Sequence, residues 1–189
     1  MKPTLIASAL ALALTACGDH LGNYQVEQVQ LVQQMPAAAT VDGNSPPYPL
    51  YVRVELTSQT NLNAADTGPG LYTHAGLCPL RDPDRIAAFG PVASDGGAVE
   101  SWRRETPLMP YQDDRLYHYF VYIVPQFPMT ERTGEPGNLI PDYDLTRNQR
   151  DVCLRFSVPG YNITPSHSGV TKIPARTLAA AFDSHQASR

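Results

Sequence analysis

A group of acidic side chains in the C-terminal half of the chain comes closest to a metal site. Asp142, Asp144, Asn148 and Asp151 have the residue types and part of the spacing of an acidic calcium loop. Such a loop needs a glycine at its sharp sixth position, where Arg147 stands, and a closing bidentate glutamate, which is missing here. We therefore interpret this segment as a solvated polar loop and predict no metal there.

Histidine, cysteine and serine form two further combinations that could do chemistry. His74 precedes Cys78 by four residues, but zinc needs three or four ligands with paired spacing. Ser166, His167 and Ser168 combine a nucleophile with a base, yet neighbouring residues of an extended chain point to opposite faces. The chain also has no G-x-S-x-G turn that would raise a serine. We predict no catalytic residue and no cofactor, although a Ser-His-Asp set assembled from distant positions stays open.

The N-terminus has the features of a secretory signal. Lys2 supplies a positive charge, and residues 5–14 form an uncharged apolar run. This run is too short to cross a hydrocarbon core, which needs roughly 20 helical residues, so it is interpreted as a signal rather than a membrane anchor. The last residue of this run and the next three, Leu14-Thr15-Ala16-Cys17, resemble the lipobox of bacterial lipoproteins.

This resemblance implies where the protein is located. In that family the peptide before the cysteine is removed and the thiol carries a diacylglycerol, so Cys17 is the expected lipidation site. Residues 1–16 are then a lipoprotein signal peptide, residues 17–23 a lipidated tether, and residues 24–189 a periplasmic domain rich in β-structure. Gly18 after the cysteine favours the outer membrane, facing the periplasm, and the inner membrane stays open. The membrane is thus a partner through the lipid.

Lipidation of Cys17 leaves Cys78 and Cys153 as an even pair in an oxidising compartment. A disulfide between them closes a loop of about 75 residues, worth roughly 4 kcal/mol in the chain-entropy model. The alternative is a pair of free buried thiols.

Composition limits the class of protein. The formal net charge is −4, and the chain has no cluster of basic residues, which excludes a typical nucleic-acid-binding surface. Eighteen prolines and 13 glycines disfavour long helices. The length suits one domain.

Hydrophobic periodicity predicts a mainly β fold: a β-sandwich-like, or small α+β, single domain with a short C-terminal helix and one disulfide. The strand over 50–57 should have one face on the core and one in water. The strand over 116–124 is apolar on both faces and should be central. The other predicted elements are a bulged strand over 24–34, strands over 98–103, 151–158 and 169–173, and a helix over 174–185 that buries Leu178, Ala181 and Phe182.

Two long segments, 60–84 and 126–150, are expected to be irregular loops, and loops of this length are typically functional surfaces. We predict that they bind a protein partner through Asp142, Tyr143, Asp144, Tyr72 and His74, with the acidic residues steering a basic partner. A tethered β-domain of this kind resembles immunity lipoproteins that neutralise periplasm-acting antibacterial toxins. That resemblance is one of architecture. The alternatives are a structural lipoprotein of a secretion or envelope complex and, third, a hydrolase.

Overall fold

A computed structural model describes residues 21–39, 48–62, 70–81, 84–94, 116–127, 143–158 and 166–187. These residues form eleven strands, a short 3-10 helix at Ala37–Ala39 and one α-helix. The elements are β1 Gln25–Val32, β2 Tyr51–Ser58, β3 Tyr72–Leu77, β4 Arg85–Ile86, β5 Ala88–Ala93, β6 Tyr117–Ile123, β7 Gln126–Phe127, β8 Tyr143–Asp144, β9 Val152–Val158, β10 Ser166–His167, β11 Thr171–Ile173 and α1 Ala175–Ala187.

The first sheet has the strand order β1-β2-β6-β5, and all its pairs are antiparallel. The strand predicted as central, β6, lies between β2 and β5, as expected. The predicted bulge in the first strand is confirmed by a register shift between Val26 and Gln28.

The second sheet has the order β10-β9-β3-β4, and β11 also pairs with β9. The main core lies between the two sheets. Alternation places Val52, Val54 and Leu56 of β2 on this core, opposite Leu154 and Phe156 of β9. Each such side chain contributes roughly 1.5–3 kcal/mol when it is fully buried. The predicted β-sandwich-like class is therefore confirmed.

A second cluster of buried side chains covers part of the opposite face of the first sheet. Tyr51 is only 2% exposed and Tyr122 5%, and both pack with Phe127 and with Ala39 of the 3-10 helix. The prediction that the second face of β2 meets water is therefore wrong at Tyr51, and also at Thr57, which is 4% exposed. Segments distant in sequence supply this cover, so the local pattern of β2 does not reveal it.

The C-terminal helix forms as predicted and buries Leu178, Ala181 and Phe182. Its first residue is held by a side chain from outside the helix, because the Ala175 amide donates to Asp151 Oδ1 at 2.9 Å. Asp151 Oδ2 also forms a salt bridge with Lys172 of β11. Among the described helices, none is long and apolar enough to span a bilayer.

Both predicted long loops contain strands. β3 lies within 60–84, and the short pair β7 and β8 lies within 126–150. Pattern analysis misses β3 because His74 and Gly76 interrupt its apolar alternation. Gly76 is required for close packing, since a Cβ there would lie 2.8 Å from the Asp84 carbonyl oxygen and 2.9 Å from Leu80 Cδ1. The predicted strand over 98–103 lies outside the described residues.

The folded body begins earlier than Tyr24. Leu21 is 2% exposed, and its amide donates to the His167 carbonyl at 3.1 Å. Gly169 donates to the Gly22 carbonyl at 2.9 Å, and Ser58 donates to the Asn23 carbonyl at 2.8 Å. Residues 21–23 therefore belong to the folded body, whereas the predicted boundary placed them in the tether.

Candidate functional site

The second sheet carries a group of polar side chains on the face opposite the core. Because Ala75, Leu154 and Phe156 face the core, their neighbours along β3 and β9 face outward. The register places Tyr72 opposite Ser157 and His74 opposite Arg155. His167 of β10 lies opposite Ser157 on its other side.

A cleft of about 580 Å³ opens over this face. β3 supplies its floor with His74 and one edge with Tyr72. β4 and the start of β5 supply one wall, and Leu80, Arg81 and Arg155 complete the cleft. We call it the arginine cleft, after Arg81, Arg85 and Arg155. Its volume lies within the range of roughly 300–1,000 Å³ that is common for binding sites.

The arginine cleft is positively charged although the protein is acidic overall. Three arginines and one histidine line it, and none of its described lining residues is Asp or Glu. The formal net charge of the chain is −4. Arg81 and Arg155 make no salt bridge with any residue in the described ranges. Guanidinium groups bind planar anions with two parallel hydrogen bonds, so the cleft suits an anionic group.

Arg155 and His167 lack hydrogen bonds that their buried atoms could make. Arg155 Nε and His167 Nδ1 are shielded from solvent and have no hydrogen-bond partner within the described part of the chain. Burial lowers the pKa of His167, and the nearby Arg155 charge lowers it further. A buried donor without a partner costs about 1–3 kcal/mol, so the unpaired Arg155 Nε lowers the stability of the fold.

His74 and Ser157 form the shortest polar contact of this face, with His74 Nε2 and Ser157 Oγ 2.6 Å apart. A serine and a histidine at this distance have the spacing of a nucleophile and its base. Ser157 is only 7% exposed, however, and lies within the sheet. The contact therefore mainly holds the His74 ring in place at the floor of the cleft.

Tyr72 lies at the edge of the arginine cleft and is 52% exposed. Only Val170, at 57%, is a second exposed large apolar side chain within the described ranges. Tyr72 and His74, both predicted to bind a partner, are thus brought together in one cleft.

Tyr143, also predicted to bind a partner, supports the cleft from behind. Its hydroxyl donates to the Val124 carbonyl at 2.9 Å and accepts from the Ala87 amide at 3.0 Å. Ala87 belongs to the cleft wall. The ring of Tyr143 stacks on Phe127, and burial raises the pKa of the phenol.

Asp144 binds its own turn. Its Oδ1 accepts from the Thr146 amide at 2.9 Å and from the Thr146 hydroxyl at 2.5 Å, and the Arg147 Nε lies 3.5 Å from Oδ2. It does not line the arginine cleft. Asp142 lies outside the described residues, as does Cys17. Asp144 therefore lies apart from the arginine cleft, and its role in steering a basic partner stays a prediction.

The predicted disulfide is present between Cys78 and Cys153, with the two Cα atoms 5.2 Å apart. It ties the segment that carries Leu80 and Arg81 to β9, which carries Arg155. The described residues contain no group of three His, Cys, Asp or Glu side chains placed to hold a metal ion.

The sequence does not indicate that the three arginines and Ser157 belong to one site. The outward position of Arg155 follows from the alternation of β9, but its proximity to His74 depends on the register between β3 and β9. No local pattern reveals that register.

Comparison with known proteins adds no assignment. No protein family, curated protein or solved structure that was compared with the chain matches it.

Proposed function

We propose that this protein is a lipid-anchored envelope protein that binds a protein partner at the arginine cleft. Its role is to inhibit an antibacterial toxin that acts in the periplasm. The observation that carries the proposal is the exposed Tyr72 beside three arginines in a concave site. Tyrosine and arginine are the residue types that, with tryptophan, most often dominate protein interfaces, and central hot spots pair with pockets.

The lipid anchor is proposed from the motif that ends at Cys17, and the fold adds a constraint on its reach. Leu21 is held in the core and bonded to His167. Four residue steps separate Cys17 from Leu21, and an extended chain spans at most about 3.6 Å per step, or roughly 14 Å in total. A lipid on Cys17 would therefore keep the body close to the membrane surface.

The same end of the second sheet carries the edge of the arginine cleft. His167, Ser157 and Tyr72 lie side by side on three neighbouring strands. Strands are spaced about 4.8 Å apart, so Tyr72 lies roughly 10 Å from the strand that binds Leu21. A partner at the cleft would thus be engaged near the membrane, which suits the inhibitor of a toxin acting in the periplasm.

The test of partner binding uses the full chain, tagged and expressed in its own host. It is exposed to envelope extracts of toxin-armed competitor strains, and survival is measured in mixed culture. We expect one specific protein to be retained and Tyr72→Ala to lose both retention and protection. Val170→Ala is the matched control, because Val170 is similarly exposed outside the cleft. It should behave as wild type.

Two outcomes would contradict this proposal. Equal retention by Tyr72→Ala would remove the arginine cleft as the contact surface. If deletion of the gene impairs secretion by the cell itself and leaves survival beside armed neighbours unchanged, the protein is an assembly lipoprotein instead.

Labelling with a palmitate analogue tests the anchor: we expect the wild-type chain to be tagged and Cys17→Ser not to be.

A second candidate function, hydrolysis, is favoured by the 2.6 Å contact between His74 and Ser157. It is the weaker proposal because a nucleophile must be reached by its substrate, and Ser157 is buried in the sheet. A fluorophosphonate probe that labels the wild-type chain but not Ser157→Ala would establish it.

A further inference from the structure

The charge of the arginine cleft identifies the kind of partner surface that fits it. Of the two acidic side chains expected to steer a partner, Asp144 is bound to its own turn, and Asp142 lies outside the described residues. The concave surface instead carries Arg81, Arg85 and Arg155, with no carboxylate among the described residues that line it. Charge complementarity across an interface then requires an acidic partner. The cleft thus favours an acidic partner, whereas the sequence alone predicts a basic one.

The arginines enter the cleft from three separate segments. Arg81 lies on the turn after the disulfide, Arg85 on β4 and Arg155 on β9. Arg85 is opposite Gly76, and Gly76 is opposite Cys153, two residues from Arg155. With strands about 4.8 Å apart and a rise of about 3.3 Å per residue, the Cα atoms of Arg85 and Arg155 lie roughly 12 Å apart. The backbone positions of these arginines are thus spread along the cleft.

This spread suits carboxylates on a short extended segment. Two side chains four positions apart on one face of such a segment lie about 13 Å apart, close to the spacing of the two arginines. Ala88 and Phe89 of the cleft wall, together with Tyr72, would cover the flanks of the peptide. A single lipid headgroup presents its charge at one place and matches this arrangement less well.

We propose that the arginine cleft receives an acidic, extended segment of the protein partner, with one carboxylate paired to Arg155. This inference rests on the proposed function, since it names the partner surface for the same site. Arg155 carries the strongest argument because it lines the cleft opposite His74 and makes no salt bridge with a described residue, which leaves its charge for a carboxylate. His74, held by Ser157 directly opposite Arg155, places a second polar side chain at the same part of the cleft.

The test measures binding of the detergent-solubilised full chain to a short peptide with two glutamates four positions apart. The glutamine version of the same peptide is the control. We expect binding of the glutamate peptide alone, weakening as salt is added. Arg155→Gln should weaken it by at least about tenfold. Arg81→Gln should also weaken binding. Because Arg81 is exposed and lies outside the strands, this substitution should leave the packing of the strands unchanged. Arg150→Gln, exposed and outside the cleft, should bind as wild type.

The outcomes separate this inference from the proposed function. If a protein partner is captured through Tyr72 but the glutamate peptide does not bind, the acidic-segment inference fails and the proposed function stands. If the peptide binds and no partner is captured, the cleft chemistry stands and the proposed function fails. Binding to phosphatidylglycerol vesicles that is lost in Arg155→Gln, without peptide binding, assigns the cleft to a lipid headgroup and overturns the inference.

Discussion

Tyrosines of this chain have opposite roles that their sequence neighbourhoods do not distinguish. Tyr119 is fully buried, and its hydroxyl donates to the Thr60 carbonyl at 2.8 Å and accepts from the Leu62 amide at 2.9 Å. Tyr143 likewise bonds two backbone groups. Tyr72, by contrast, is half exposed at the arginine cleft. The buried hydroxyls satisfy backbone groups that no strand partner reaches, so they stabilise the fold, whereas Tyr72 is available for a partner.

Tyr143→Phe should destabilise the fold by about 1–3 kcal/mol, because the Val124 carbonyl and the Ala87 amide both lose a buried partner. Urea unfolding measures the change. Tyr72→Phe, the matched control, should shift stability by no more than about 0.5 kcal/mol. Equal effects of the two substitutions would show that the Tyr143 hydroxyl is not structural.

The helix α1 depends on a residue outside itself. Asp151 lies just before β9, accepts from the first helical amide and pairs with Lys172 of β11. Asp151 therefore links β9, β11 and the N-terminus of α1. A negative charge is favourable at the N-terminus of a helix. The hydrogen bond from Lys172, then that from Ala175, holds the pKa of Asp151 below its ordinary value of 3.8.

Asp151→Asn should destabilise the fold at neutral pH, since asparagine keeps an acceptor but loses the charge. The pKa of Asp151 is depressed in the folded state, so its contribution is fully present above about 3.8 and is lost as pH falls through the lower folded value. The difference between wild type and variant should thus be constant near neutrality and shrink in acid. Unfolding curves at several pH values measure it. A difference that grows in acid would contradict this assignment, and Lys172→Gln provides a second variant of the same pair.

The disulfide connects stability of the whole domain with the geometry of the arginine cleft. Cys78 and Cys153 are separated by 75 residues in sequence. Arg81 follows Cys78 by three residues, and Arg155 follows Cys153 by two, so one bond restrains two of the three arginines. The packing of Leu80 and Asp84 against Gly76 restrains the same turn.

Replacing both cysteines with alanine should lower the free energy of unfolding by about 2–5 kcal/mol, because the unfolded chain regains the freedom of a long loop. Urea unfolding measures the loss, and reduction of the wild-type protein should reproduce it. We also expect weaker binding of the glutamate peptide, as Arg81 is then less well positioned. Unchanged stability would mean that packing alone holds this turn.

Local patterns determined much of the fold. Alternation in β9 and β2 predicted their core faces, and the helical spacing of Leu178, Ala181 and Phe182 predicted the buried side of α1, because burial on one face imposes a period on the sequence. Tertiary structure alone decided the site. Three features depend on contacts between segments distant along the chain. They are the register that aligns Tyr72 with Ser157, the close approach of the turn near Arg81 to Gly76, and the second cluster of buried side chains over Tyr51. Such contacts leave no periodic trace in either segment, since each is set by the shape and position of the other.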